Sequence, residues 1–358
     1  MRSFSKPLLS FLLLVAIAAQ GQTAQEVYDE GVRLKKEGKV NDALQKFLQS
    51  ERLKPGFTES LYEQGWCYND LKEYNKAVNV LRKVVPVWTK IPKCFFELGY
   101  AFQNLGHTDS ATYYYSKTLE LKPDYAGVFK QMGFIAYHNN QFEHAVEYFR
   151  KYEGYVDSPI TDYLYWYRRG YVFNATKDFA SAKGSLLECV SFKPDYALAY
   201  LELGYACSRS KQEDQAIAYY RKAIELNPES HIGYNGIAEV YRDYKKDLIE
   251  AMTWYKKALQ VKPDERKAHF GLGYCLNAKG QYNEAIGHLK KAIAAEETYT
   301  AAYVELGYSY YMLDNNEDAV RNFNLAIRLY PQNANARYYK GLVYLKINDK
   351  ISAQRMVD

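Results

Sequence analysis

Residues Ala197 to Ser230 read ALAYLELGYACSRSKQEDQAIAYYRKAIELNPES, and their pattern decides the fold. Tyr200, Gly204 and Cys207 fall at i, i+4 and i+7, and after a polar turn so do Ala216, Tyr220 and Ala223. Each triplet makes one stripe of an amphipathic helix. Gly204 and Ala216 are small enough for two helix backbones to approach, with Tyr200 and Tyr220 filling the space beside them. Pro228 cannot continue a helix, so it closes the second half. The stretch predicts a helical hairpin of 34 residues.

The hairpin recurs along the chain. Gly31, Gly65, Gly99 and Gly133 are spaced by 34, as are Gly170 and Gly204, and Gly273, Gly307 and Gly341. Ala238 takes the one missing place. The second-helix alanine keeps step from Ala43 and Ala77 through Ala216 to Ala319 and Ala353, and a closing proline returns at Pro55, Pro123, Pro194, Pro228, Pro263 and Pro331. At these residues the chain resembles the tetratricopeptide repeat family, whose signature is W-x2-L-G-x2-Y, A-x3-F, P. The resemblance implies an all-α solenoid, a superhelix of tandem hairpins. Its units are 24–57, 58–91, 92–125, 126–162, 163–196, 197–230, 231–265, 266–299 and 300–333, with 334–358 incomplete.

Residues 1–21 stand outside the array. Arg2 and Lys6 precede an apolar run from Leu8 to Ala19, and Ala19-Gln20-Gly21 has the small residues a signal peptidase reads. The expectation is a signal peptide cleaved before Gln22, no stable membrane span afterwards, and an exported protein, periplasmic or extracellular. No cysteine follows the run to carry a lipid anchor. Losing Arg2 and Lys6 lowers the formal charge from +5 to +3, a balance that offers no basic face for nucleic acid. Aromatic residues make up 16% of the chain, with 37 tyrosines, as suits a fold that wedges rings between helices.

Chemistry-bearing motifs are sparse. Cys67, Cys94, Cys189, Cys207 and Cys275 fall at small, inward helix positions and are expected to be structural rather than disulfide-bonded. The six histidines are scattered, and none has metal spacing. Neither G-x-S-x-G nor a phosphate-binding glycine loop is present. The reading is a non-enzymatic chain with no cofactor and no metal. Asn174-Ala175-Thr176 matches a glycosylation sequon near a predicted helix end.

Three places break the period. Three residues are inserted around Tyr155–Asp162, one around Lys245–Asp247, and Pro86 arrives early, stopping its helix. None of these breaks reads as a domain boundary. The tenth unit stops at Asp358 without a polar capping helix, so the expectation is a longer natural chain or association of this end with a partner or itself.

The residue after seven of the nine repeat glycines is a ring: Trp66, Tyr100, Phe134, Tyr171, Tyr205, Tyr274 and Tyr308. Three residues further on stand Asn69, Gln103, Asn174, Ser208 and Asn277. In the resembled family this second face of the first helix lines a concave groove that binds extended peptides. Two roles are open for the row: a peptide surface centred on Tyr171, Asn174 and Tyr205, or packing between neighbouring first helices. The family's clamp for chaperone C-terminal carboxylates has asparagine after the glycine, where rings stand here. The resemblance favours a scaffold holding a protein or peptide partner. The alternatives are a glycan binder, since rings stack on sugars, or an accessory subunit of an envelope enzyme complex.

Overall fold

The computed structural model describes residues 22–355, and the expected signal peptide at 1–21 lies outside them. The described residues form twenty helices and no strand. The chain divides into two compact units, one ending at Pro159 and the other beginning at Ile160.

In the first unit the helices are α1 (Ala24–Lys36), α2 (Val40–Leu53), α3 (Thr58–Asp70), α4 (Tyr74–Val84), α5 (Pro92–Asn104), α6 (Thr108–Leu121), α7 (Ala126–His138) and α8 (Phe142–Tyr155). They pack in consecutive antiparallel pairs. Thr23 opens the array with a reciprocal cap: its hydroxyl accepts from the Glu26 amide at 3.2 Å, and the Glu26 carboxylate accepts from the Thr23 amide at 2.7 Å. Helix α4 stops at Val84, ahead of Pro86. The irregular link after it lays Trp88 against Tyr62, with ring centroids 5.4 Å apart.

The second unit holds α9 (Tyr163–Ala175), α10 (Phe179–Phe192), α11 (Ala197–Arg209), α12 (Glu213–Leu226), α13 (His231–Val240), α14 (Leu248–Val261), α15 (Arg266–Ala278), α16 (Tyr282–Ala295), α17 (Thr300–Met312), α18 (Asn316–Leu329), α19 (Ala334–Lys346) and α20 (Lys350–Gln354). The single extra residue is absorbed at the end of α13 rather than in the turn itself. Tyr241–Lys245 winds as a π-helical turn, Lys246 takes a left-handed conformation, and Asp247 caps α14 through the Ile249 and Glu250 amides. At the far end Leu345, Ile347 and Ile351 are exposed.

The glycine–alanine crossing is the packing unit in both halves. Ala43, Ala77, Ala111, Ala145, Ala182, Ala216, Ala251, Ala285 and Ala319 are fully buried. Four residues after eight of these alanines, all but Ala251, a large side chain lies across the facing glycine. A Cβ on Gly204 would sit 2.6 Å from the Tyr220 ring, and one on Gly65 would sit 2.4 Å from Leu81. The crossings at glycine thus exclude even a methyl group, and Ala238 marks the crossing where the packing admits one.

Two expectations need correction. The insertion near Tyr155–Asp162 is the place where the chain divides into its two units. Seven irregular residues, 156–162, occupy a link that takes four between α6 and α7. The histidines are not all scattered: His269 on α15 and His288 on α16 meet with Nδ1 atoms 3.0 Å apart, because hairpin pairing brings together residues 19 apart in sequence. The five cysteines are buried and free. Burial pushes the Cys67, Cys94 and Cys189 thiols up to about 12, so they remain protonated hydrophobes.

Candidate functional site

The first helices of each compact unit are stitched together by a side chain four residues after the glycine. It reaches the residue two before the next glycine. Lys35 pairs with Glu63 at 2.6 Å, and the Gln103 amide donates to Gln131 at 3.1 Å. Asn69, Asn174 and Asn277 each donate from Nδ2 to both the backbone carbonyl and the carboxylate of a glutamate: Glu97, Glu202 and Glu305 respectively. Desolvation raises the pKa of all three acids, Glu97 to about 7.

In the second unit the stitch fails at two successive joints, because glycine replaces the acid at Gly236 and Gly271. The reason is the tyrosine beneath. A Cβ on Gly236 would lie 2.4 Å from Tyr220, and one on Gly271 would lie 2.2 Å from Tyr255. At the first joint a cavity of about 570 Å³ opens between α9, α11 and α13. Tyr171 and Tyr205 contribute to its wall and Tyr220 lies beside Gly236. Its polar lining is rich in acceptors. Asn235 and Asn174 are 5% and 4% exposed, and the Oδ1 atom of each is buried without a hydrogen-bond partner. Glu202 and Glu239 also line it, and desolvation raises the pKa of both. At the rim Glu265 is already engaged by Lys262 and His231, at 3.0 and 3.1 Å.

The ring row divides by environment. Phe134 is buried. Trp66, Tyr100, Tyr171 and Tyr308 are half-buried, and Tyr205 and Tyr274 are 42% and 40% exposed. Several rings rest edge-on against the start of the preceding second helix: Tyr100 on Tyr74, Tyr205 on Phe179, and Tyr308 on Tyr282. Lys35 lies 3.8 Å over the Trp66 ring, and Arg242 covers Tyr274 at 5.6 Å. One edge of these rings packs, and Tyr205 stays the most open to solvent, whereas Tyr274 is also covered by Arg242 and Phe270. The cavity brings together Tyr171, Asn174 and Tyr205; the other expected residues stand at other joints.

Asn174 differs from expectation. Its NH2 group is committed to Glu202 and its Oδ1 is buried without a partner, so it shapes the wall instead of presenting an amide to a ligand. Its burial also leaves the sequon closed to glycosylation. Asn235, Gly236 and Glu239 were missed by indexing the row on glycine, since Ala238 marks their helix. Their signal in the sequence was the loss of acid at 236 and of the ring at 239.

Tetratricopeptide repeat models match residues 59–85, 92–125, 197–230, 247–299 and 304–350. Heat shock protein STI1 of Saccharomyces cerevisiae is 27% identical over 117 residues, covering 33% of this chain and 20% of that protein. The BBSome complex member BBS4 homolog of Drosophila melanogaster is 25% identical over 175 residues, 49% of this chain and 35% of that protein. The chain therefore spans between a fifth and about a third of the length of these relatives. Among solved structures, a chain of the APC/C hetero-tetramer Cut9-Hcn1 covers 93% of this chain at 13% identity, matching 86% of its own length with a TM-score of 0.50. The type IV pilus biogenesis factor PilW covers 54% at 20% identity, matching 90% of its own length, also with a TM-score of 0.50. The glycine and alanine crossings, the helix pairs built on them and the five matched segments carry one conclusion: the chain belongs to the tetratricopeptide repeat family.

Proposed function

We propose that the protein is a non-catalytic scaffold that holds a segment of a protein partner on the first-helix face of its second unit. The observation that carries this is the cavity between Tyr171, Tyr205 and Asn235. It pairs an exposed ring with buried acceptors that no protein group satisfies. A partner segment would cover the ring and bring donors to an acceptor-rich wall, and both changes favour binding. The BBS4 homolog, a complex member by its name, supports a role in assembly. Export is part of the same proposal and rests on Arg2, Lys6 and the Leu8–Ala19 run.

The test is a peptide array probed with the full chain and with Tyr205→Ala. Tyr205 is a surface ring, so its loss should weaken peptide retention by about 2 kcal/mol, the scale of an aromatic hot spot, while melting stays near the parent. Unchanged retention, or a collapse of stability without selective loss of binding, would return the ring to a packing role.

A further inference from the structure

We propose that the cavity at Asn235 receives an arginine side chain of the partner segment, its guanidinium donating to Glu239 and Glu202. This rests on the partner-segment reading above and names the chemistry that fills its centre.

The acceptors decide the guest. Asn174 Oδ1 and Asn235 Oδ1 are buried acceptors without donors, closed to solvent, and their unpaired dipoles add negative potential to the wall. At the equivalent joint further along, the same atom of Asn277 accepts from the Ser309 hydroxyl at 2.7 Å. Ala206 stands at the serine's register beside Asn174 and has nothing to give. Among the described residues Glu239 makes no ion pair within 4 Å, the charges of Lys267, Arg242 and Arg209 reaching it only from farther off, and the Glu202 carboxylate has only the Asn174 amide. The N–H groups that also line this cavity are His231, which is held by Glu265, and the exposed Lys177 and Lys267, so Glu202 and Glu239 are left short of donors. A guanidinium presents five donors in one plane and stays charged throughout the accessible pH range.

The nearby cations do not supply that need. Arg242 is engaged by Asp243 through two hydrogen bonds, at 2.6 and 2.8 Å, and Arg209 is turned to the Tyr244 hydroxyl. Lys177 and Lys267 are exposed at the rim. Tyr171 and Tyr205 give the guest flat faces, and arginine stacks on aromatic faces better than lysine does. The opening itself exists because Gly236 has no side chain over Tyr220, so the space is a consequence of packing at a fixed place.

The experiment uses the full chain and four probes: extended peptides of one serine–glycine sequence with arginine, citrulline, lysine or glutamate at the centre. Citrulline keeps the shape of arginine and removes the charge. Titration by calorimetry should rank arginine first, at least tenfold tighter than citrulline or glutamate, with lysine between. Glu239→Gln should reduce the arginine–citrulline ratio several-fold. Ala206→Ser, which gives Asn174 Oδ1 an internal donor as Ser309 does for Asn277, should weaken arginine binding without harming the fold; melting curves on both variants check this. Equal binding of arginine and citrulline, or a ratio unmoved by Glu239→Gln in a folded protein, overturns the arginine pocket and leaves the partner-segment reading standing. Failure of every peptide on a broad array as well as of all four probes overturns both.

Discussion

Asn174 donates both amide hydrogens to Glu202, 28 residues further on, at 3.1 Å to the carbonyl and 2.7 Å to the carboxylate. One side chain therefore fixes the spacing of two successive first helices. Removing it leaves a desolvated carboxylate unpaired, while the Glu202 carbonyl keeps only its partner within the helix. Asn174→Ala should cost about 1–3 kcal/mol, the penalty for an orphaned buried acceptor. Ala206→Ser should do the opposite, adding about 1 kcal/mol by giving Asn174 Oδ1 a donor. Urea midpoints of the two variants and the parent check both signs. A destabilised Ala206→Ser would mean that the joint has no room for a hydroxyl.

Glycines in this chain have opposite roles by position. Tyr220 lies between Gly204 and Gly236 and has no direction in which to yield, with an added Cβ approaching within 2.6 Å on one side and 2.4 Å on the other. Gly204→Ala should therefore cost about 1–3 kcal/mol through overpacking, and Gly204→Leu more. Gly184, inside α10, has open space where its Cβ would stand. Gly184→Ala should add about 0.5–1 kcal/mol by removing the entropy cost of a helical glycine. Thermal melts that moved both variants the same way would refute the distinction.

The fold was legible because the crossing demands a small residue every 34 positions, and a steric demand leaves a mark at every repeat. Gly204 and Ala216 carried that message by themselves. The site was legible only in part. Tyr171, Asn174 and Tyr205 stood out because they obey the period, whereas Asn235, Gly236 and Glu239 make the cavity by departing from it. The stitch from Asn174 to Glu202 joins residues that no local pattern connects. The His269–His288 contact was hidden for the same reason, since each residue looks solitary on its own helix.

The turn inside each hairpin needs one left-handed residue. Gly38, Gly106 and Gly280 fill it without strain, but Lys72, Lys177, Lys211 and Lys246 hold positive φ at the same place. Lys211 and Gly280 make matching bonds: each amide donates to a carbonyl three residues back, and the next amide reaches five back. Lys211→Gly should raise stability by about 0.5–1 kcal/mol, the left-handed penalty less the extra freedom of glycine in the unfolded chain. Chemical denaturation with an unchanged slope would show it. A loss would mean that the lysine stem contributes packing at this turn.

The last prediction concerns pH and the α15–α16 hairpin. His269 donates from Nε2 to the Pro263 carbonyl at 3.0 Å, so its Nδ1 must accept, and His288 Nδ1 is the donor across the 3.0 Å contact. The arrangement holds both rings neutral. Burial lowers the pKa of each below its ordinary 6.5, with the partner histidine and Lys291 also opposing a charge on His288. Lys256 opposes it further, while Glu284 near His288 and Asp264 and Glu265 near His269 favour the charge and lose to desolvation. The unfolded chain then takes up protons first as pH falls through 6.5, so this pair's contribution is present above that value and is lost below it. Glu97, Glu202, Glu239 and Glu305, whose pKa values are raised, act in the other direction. The whole-protein profile therefore mixes two signs, and a difference between two proteins separates them. His288→Gln leaves those carboxylates in place and removes one titrating ring. Its stability relative to the parent should improve steadily between pH 7.5 and pH 5, measured as the difference in urea midpoint. A difference that stays flat across that range would show that the two rings do not share a neutral hydrogen bond.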